Sequence, residues 1–138
     1  PKDISNKLGL INSKIVSSIT NDYIKKFNII LTSGRQLIEE LSGGNQQKCI
    51  ISKWLLSKPK VLILDEPTRG VDVGVKSEMY EIINQLAEQG TAIILISSEL
   101  PEILSLSHRI IVMREGKITK ILENKEATQE NIMSYAIN

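Results

Sequence analysis

Leu41-Ser42-Gly43-Gly44-Asn45-Gln46-Gln47-Lys48 is the stretch of the chain best suited to chemistry on an anion. Two glycines without Cβ atoms let another molecule approach the backbone closely. A helix opening behind them would present unpaired N–H groups and the positive end of its dipole, with Ser42 adding a hydroxyl donor. That combination describes a phosphate site, and it equally describes the capped start of a helix; spacing alone leaves both open. A second stretch is the aliphatic run Val61-Leu62-Ile63-Leu64, which releases two acids in Asp65-Glu66-Pro67-Thr68. Ligands of open α/β sheets bind beyond the carboxyl ends of strands, where these acids fall. Side chains alternate along a strand, so the two carboxylates should face differently. One can hold a hydrated Mg2+ and the other can orient or deprotonate a water, or both can merely cap the following turn.

Those residues need elements to position them. Ile4, Leu8, Ile11, Ile15, Ile19, Tyr23 and Phe27 recur at helical steps and predict two helices with a break near Thr20 to Asp22. Thr32-Ser33-Gly34 marks a loop. From Ser42 a helix should run to about Ser57, burying Ile50, Ile51, Trp54 and Leu55 and stopping at Lys58-Pro59. Val61 to Leu64 lacks polar alternation and predicts a strand covered on both faces. An amphipathic helix through Val75, Met79, Ile82, Ile83 and Leu86 follows, then Gly90 and a second apolar strand, Ala92 to Ile96, giving a βαβ unit. A short helix at Glu102 to Leu106, strands at Arg109 to Met113 and Lys117 to Leu122 around a Glu115-Gly116 turn, and a closing helix from Ala127 to Ile137 complete an α/β reading.

Composition narrows the function classes. The 138 residues carry 17 Lys+Arg against 16 Asp+Glu and are 41% hydrophobic, an ordinary globular balance with neither an acidic tail nor a basic nucleic-acid arm. The longest wholly apolar run, Ala92 to Ile96, falls far short of the ~20 residues a membrane-spanning helix needs. No secretory signal is legible at the start, and the single cysteine, Cys49, reads as a small core residue in a reducing setting. The only histidine, His108, reads as a surface or helix-end residue, and the single tryptophan, Trp54, as core. Arg69 reads as a solvated turn residue or a bridge to a partner.

In this order, the two chemical stretches resemble the ATP-binding-cassette (ABC) ATPases. Leu41 to Lys48 is similar to their signature sequence, Val61 to Glu66 to the Walker B strand, and Arg69-Gly70-Val71-Asp72 to the D-loop. The octet, the run Leu64-Asp65-Glu66-Pro67-Thr68-Arg69-Gly70-Val71-Asp72-Val73-Gly74, the segment Ile96 to Glu102 and the segment Arg109 to Gly116 most resemble the ATP-binding subunits of bacterial importers for ribose, galactose, xylose and similar sugars. The likeness runs from Gly34 onward.

The resemblance implies a partial P-loop NTPase fold, mostly parallel sheet flanked by helices. Residues 1–57 would be part of the helical subdomain with the signature helix, and 58–138 the later part of the RecA-like core. It implies ATP and Mg2+ as cofactors, Asp65 on the metal and Glu66 as catalytic base. ATP contacts would come from Ser42, Gly43, Gly44, Asn45, Asp72 and Ser98, the signature reaching a nucleotide held by a second cassette. Transmembrane permease subunits and, indirectly, an extracytoplasmic sugar-binding protein would be partners, at the cytoplasmic face of the membrane and without nucleic acid. The phosphate-cradling Gly-x-x-x-x-Gly-Lys-Ser/Thr is not in the sequence, and the chain begins at Pro1, so the expectation is the later part of a cassette, inactive by itself and with apolar strand faces left open. Ser98 stands where the family usually has a switch histidine, which resembles the second of two cassettes and raises the alternative of a non-hydrolysing half-site. Asn45 stands where many members of the wider family have glutamine, while the sugar-import group shares the asparagine. A non-transport ABC ATPase is the other alternative.

Overall fold

A computed structural model describes residues 11–137. The predicted helical positions Ile4 and Leu8 lie outside the described residues. The described residues divide into two compact units, one drawn from residues 11–60 and 68–91, the other from 61–67 and 92–137.

In the first unit, α1 spans Ser13–Lys26 and is capped by the Asn12 side chain, which accepts from the N–H groups of Lys14 and Ile15. It runs unbroken through Thr20, Asn21 and Asp22, correcting the expected break: these polar residues lower helix propensity only weakly, and no glycine or proline interrupts them. The helix ends on Asn28 in the left-handed region (φ 47°), with Ile29 N–H reaching back to the Ile24 carbonyl at 2.9 Å. A short 3-10 turn at Ile38–Glu40 leads to α2 (Gly43–Leu55). The third helix of this unit, α3 (Val73–Glu88), is capped by Asp72, and Gly90 (φ 89°) follows its end.

The buried face of α2 differs from the expected one. Ile51 and Leu55 are buried as predicted, but Ile50 is exposed and Trp54 is 58% exposed, while Gly44, Lys48 and Ser52 turn inward. The inward residues share one face at helical spacing, and Lys48 takes a place there because its ammonium has partners inside. On α3, Met79, Ile82, Ile83 and Leu86 are all buried, as their spacing predicts, and Met79 is fully so. Met79→Ala is expected to destabilise by about 2–5 kcal/mol, read as a lower urea midpoint at unchanged slope; a loss below ~1 kcal/mol would place Met79 at a site that collapses freely.

In the second unit, β1 (Val61–Asp65) and β2 (Ala92–Ile96) pair in parallel, with Leu62 opposite Ile93 and Asp65 opposite Ile96. Leu62 and Leu64 are buried, yet Val61, Ile63, Ile94 and Ile96 are exposed, Ile63 to 63%. The strands are therefore covered on one face only, which corrects the two-sided expectation and leaves an open apolar face. Next come α4 (Leu100–Leu106), β3 (Arg109–Arg114), β4 (Lys117–Glu123), a 3-10 turn at Asn124–Glu126 and α5 (Gln129–Ile137). Rather than extending the parallel pair, β3 and β4 form their own antiparallel pair. Glu115 and Gly116 both have positive φ (50° and 74°), the two-residue turn whose twist suits a hairpin. Thr119 is the extra residue at a bulge beside Val112, where its hydroxyl donates to the Val112 carbonyl at 3.2 Å. Ile110, Val112, Leu122 and Ile132 form the core under this hairpin, with Leu100, Ile103, Leu104, Ala127 and Ala136 around it.

Candidate nucleotide site

The first group of site residues sits on the opening turn of α2. Ser42 is its N-cap, extended at ψ 153°, and its side chain makes no capping bond. Instead its Oγ accepts from Asn45 Nδ2 at 2.9 Å. The exposed Ser42 side chain is thus no cap, and its hydroxyl keeps a proton to donate. The first intrahelical bond runs from Gln46 N–H to the Ser42 carbonyl at 2.9 Å, so the N–H groups of Gly43, Gly44 and Asn45 precede the ladder. Asn45 Oδ1 accepts from Ile30 N–H at 2.8 Å and Gln46 Nε2 donates to the Leu41 carbonyl at 2.8 Å, anchoring the turn from both sides. Asn45 therefore uses donor and acceptor alike inside the chain. Ser42 and Gly43 are exposed; Gly44 is buried.

Asp72 opens α3 as an exposed cap, its Oδ1 accepting from Val75 N–H at 3.2 Å. Before it, Val71 N–H bonds the Thr68 carbonyl at 3.3 Å, closing a turn in which Gly70 takes the positive φ of 74° that its position requires. Arg69 is exposed on this turn, and Thr68 is buried.

In the second unit the two acids at the end of β1 have different surroundings. Asp65 is exposed. Glu66 is half-buried and lies in the left-handed region (φ 47°), a conformation costing a non-glycine residue about 1 kcal/mol or more and found preferentially at functional sites. Two bonds hold it there: Glu66 N–H to the Ile96 carbonyl at 2.8 Å, and Ser98 N–H to Glu66 Oε1 at 2.9 Å. The structure thus brings Glu66 and Ser98 together, and does so through the Ser98 backbone. The Ser98 side chain is exposed. Among the described residues no group of three or more His, Cys, Asp or Glu is arranged around a metal. Asp65 alone fits Mg2+ of the kind that keeps its waters and shares one carboxylate with nucleotide phosphates. His108 is exposed; Cys49 is half-buried, and burial pushes its thiol up, the pattern of an inert cysteine.

One contact lay beyond sequence reasoning. Lys48 Nζ donates to the Asn28 carbonyl at 3.0 Å and pairs with the Glu78 carboxylate. Glu78 is distant in sequence, and only the unusual burial of a lysine betrays the link.

A family model described as ABC transporter matches residues 6–69. Solved structures agree in fold: the chain superposes on an ATP-binding cassette of an ABC transporter, MJ1267, with TM-score 0.77 at 21% identity, covering 94% of this chain and 53% of that one. It also superposes on the bacterial ABC transporter cassette MJ0796, in its dimeric structure, with TM-score 0.73 at 19% identity, covering 84% and 50%. The chain is similar to ABC transporter cassettes in sequence over residues 6–69 and in fold, as a partial α/β cassette. Among its relatives, the protein named ribose import ATP-binding protein RbsA of Caldanaerobacter subterraneus subsp. tengcongensis is 57% identical over 99% of this chain and 27% of its own length. Proteins of the same name from Clostridium tetani and Bacillus cereus strain ZK are 51% and 52% identical, over 99% and 94% of this chain. The chain spans about a quarter of the length of these relatives, 27% of the Clostridium tetani protein.

Proposed function

We propose that the protein to which this chain belongs is the ATP-binding subunit of a bacterial sugar importer, hydrolysing ATP to drive uptake, with ribose the foremost candidate. Likeness to ribose import proteins along 99% of the chain supports the transport reading. The observation that carries the chemistry is the exposed Ser42 hydroxyl at the head of α2. In this reading residues 1–57 belong to the helical subdomain and 58–138 to the core. Ser42, Gly43 and Gly44 donate to the γ-phosphate of a nucleotide held by a second cassette. Asn45 aims Ser42, and Asp72 faces the same cassette. Glu66, one oxygen held by Ser98 N–H, uses the other to orient and deprotonate the attacking water. Asp65 holds Mg2+, which neutralises phosphate charge when bound.

Work is delivered to transmembrane permease subunits at the cytoplasmic face of the membrane, with a sugar-binding protein outside. No helix among the described residues is long and apolar enough to cross a membrane, so in this arrangement the chain docks peripherally. The 138 residues alone, without a Gly-x-x-x-x-Gly-Lys-Ser/Thr in their sequence, do not turn over ATP. The test is uptake of labelled ribose, galactose and xylose into proteoliposomes holding the full-length protein and its permease. Ribose uptake that requires ATP and the loaded binding protein is expected; ATP hydrolysis indifferent to every sugar-loaded binding protein would overturn the transport reading.

A further inference from the structure

Lys48 ends the octet and is only 2% exposed, a placement that a lysine tolerates only with partners. Its two partners come from different elements. Asn28, turned into the left-handed region at the end of α1, offers its carbonyl at 3.0 Å, and Glu78 on α3 offers its carboxylate. One turn earlier on α2, Gly44 meets the same helix: a Cβ there would lie 2.9 Å from Val75 Cγ2 and 3.1 Å from Val75 Cβ, closer than side-chain carbons pack. Gly44 and Lys48 are four residues apart on α2, Val75 and Glu78 three apart on α3, so each pair shares one helix face and the contact extends over a full turn. Val75 is also the residue whose N–H caps onto Asp72. The opening turns of α2, with Ser42 to Gly44, and of α3, with Asp72, are therefore fastened to each other by a bare glycine against an isopropyl group and by an ion pair.

We propose that Lys48 is a positioning residue: through Glu78 and Asn28 it locks the head of α2 to the head of α3, so that Ser42–Gly44 and Asp72 meet the second cassette's nucleotide as one rigid piece. The proposal rests on the reading in which Ser42 to Gly44 contact that nucleotide. Glu78 is only half-buried, so its carboxylate stays solvated when the buried lysine is replaced, and an apolar side chain of similar length that fills the same space limits the loss of stability. What is lost is the fixed aim of the donors, and misplacement by ~1 Å can cost about 10²-fold in rate.

The experiment uses the full-length protein with its permease and compares Lys48→Met, Lys48→Arg, Glu78→Gln and Ser42→Arg, measuring kcat, KM for ATP and melting temperature. Lys48→Met is expected to lower kcat by about 10²-fold while KM stays within about twofold and the melting temperature falls only slightly. Lys48→Arg, which retains donors for both partners, restores most of the rate. Should Lys48→Met fail to fold, Glu78→Gln carries the test from the solvent side, its amide oxygen still accepting from Lys48, and is expected to lower kcat with only a small fall in melting temperature. Unchanged kcat in Lys48→Met, or in Glu78→Gln where Lys48→Met does not fold, overturns the proposal, as does a rate loss that follows a fallen melting temperature and is not restored by arginine. Turnover retained in Ser42→Arg instead overturns the underlying reading of the signature, and the proposal with it.

Discussion

Ser42→Arg is expected to lower ATP turnover of the full-length protein by at least about 10²-fold while leaving its stability within ~0.5 kcal/mol of the parent. The two halves of that expectation come from one local geometry. The Ser42 side chain is exposed and caps nothing, so folding does not depend on it. Its Oγ accepts from Asn45 Nδ2, and in the proposed site its hydroxyl donates to the phosphate beside the N–H groups of Gly43 and Gly44. Arginine removes that hydroxyl and sets a long side chain where, in the proposed site, a phosphate comes close to the bare glycine backbone. Loss of one preorganised donor at a developing negative charge typically costs 10²- to 10³-fold, and the added bulk acts in the same direction. The guanidinium can still attract ATP electrostatically, so the loss should fall on kcat more than on KM. Phosphate release at saturating ATP, beside a melting curve, reads both halves. Turnover within about threefold of the parent at an unchanged melting temperature would refute the idea that the head of α2 contacts nucleotide.

The chemistry-bearing stretches were legible because their physics is local. Glycines before a helix start, acids at the end of an aliphatic strand, and Glu115-Gly116 between two strands each announce themselves within a few residues, and the structure places all three on the elements they predict. What was not legible depends on partners far along the chain. The apolar stripe of α2 pointed to Ile50 and Trp54 as core, but the burial of Lys48 is decided by Glu78 and by the carbonyl of Asn28, neither visible in the local pattern. The same holds for Ser98. The sequence drew attention to its side chain, whereas the structure uses its N–H, a group every residue but proline carries. For β1 and β2 the aliphatic run correctly announced strands and overstated their covering, since periodicity cannot tell a face buried within these residues from one left open at Val61, Ile63, Ile94 and Ile96.

Glu66 supplies the sharpest division between a hydrolytic site and a site that only binds. Its backbone is held in the left-handed region and its Oε1 accepts from Ser98 N–H at 2.9 Å, so one carboxylate oxygen is fixed and the other is left for water. Glutamine keeps a carbonyl oxygen for the Ser98 N–H, so Glu66→Gln preserves the anchoring and removes only basicity. Loss of a general base typically costs 10²- to 10⁴-fold, and a drop of that size in kcat at unchanged melting temperature is the expected result. Two further variants separate anchoring from chemistry. Ser98→Ala keeps the N–H donor and should leave kcat within about threefold of the parent, whereas Ser98→Pro deletes the donor, frees the carboxylate and should approach the Glu66→Gln loss. If Glu66→Gln leaves turnover intact while Ser42→Arg abolishes it, the acids at the end of β1 form a non-hydrolysing half-site. The chain's part in catalysis would then be confined to the signature donors it lends to the other cassette. Comparable, severe losses in both variants place the base and the donors in sites that both turn over, because a silent site would not register the loss of its own base.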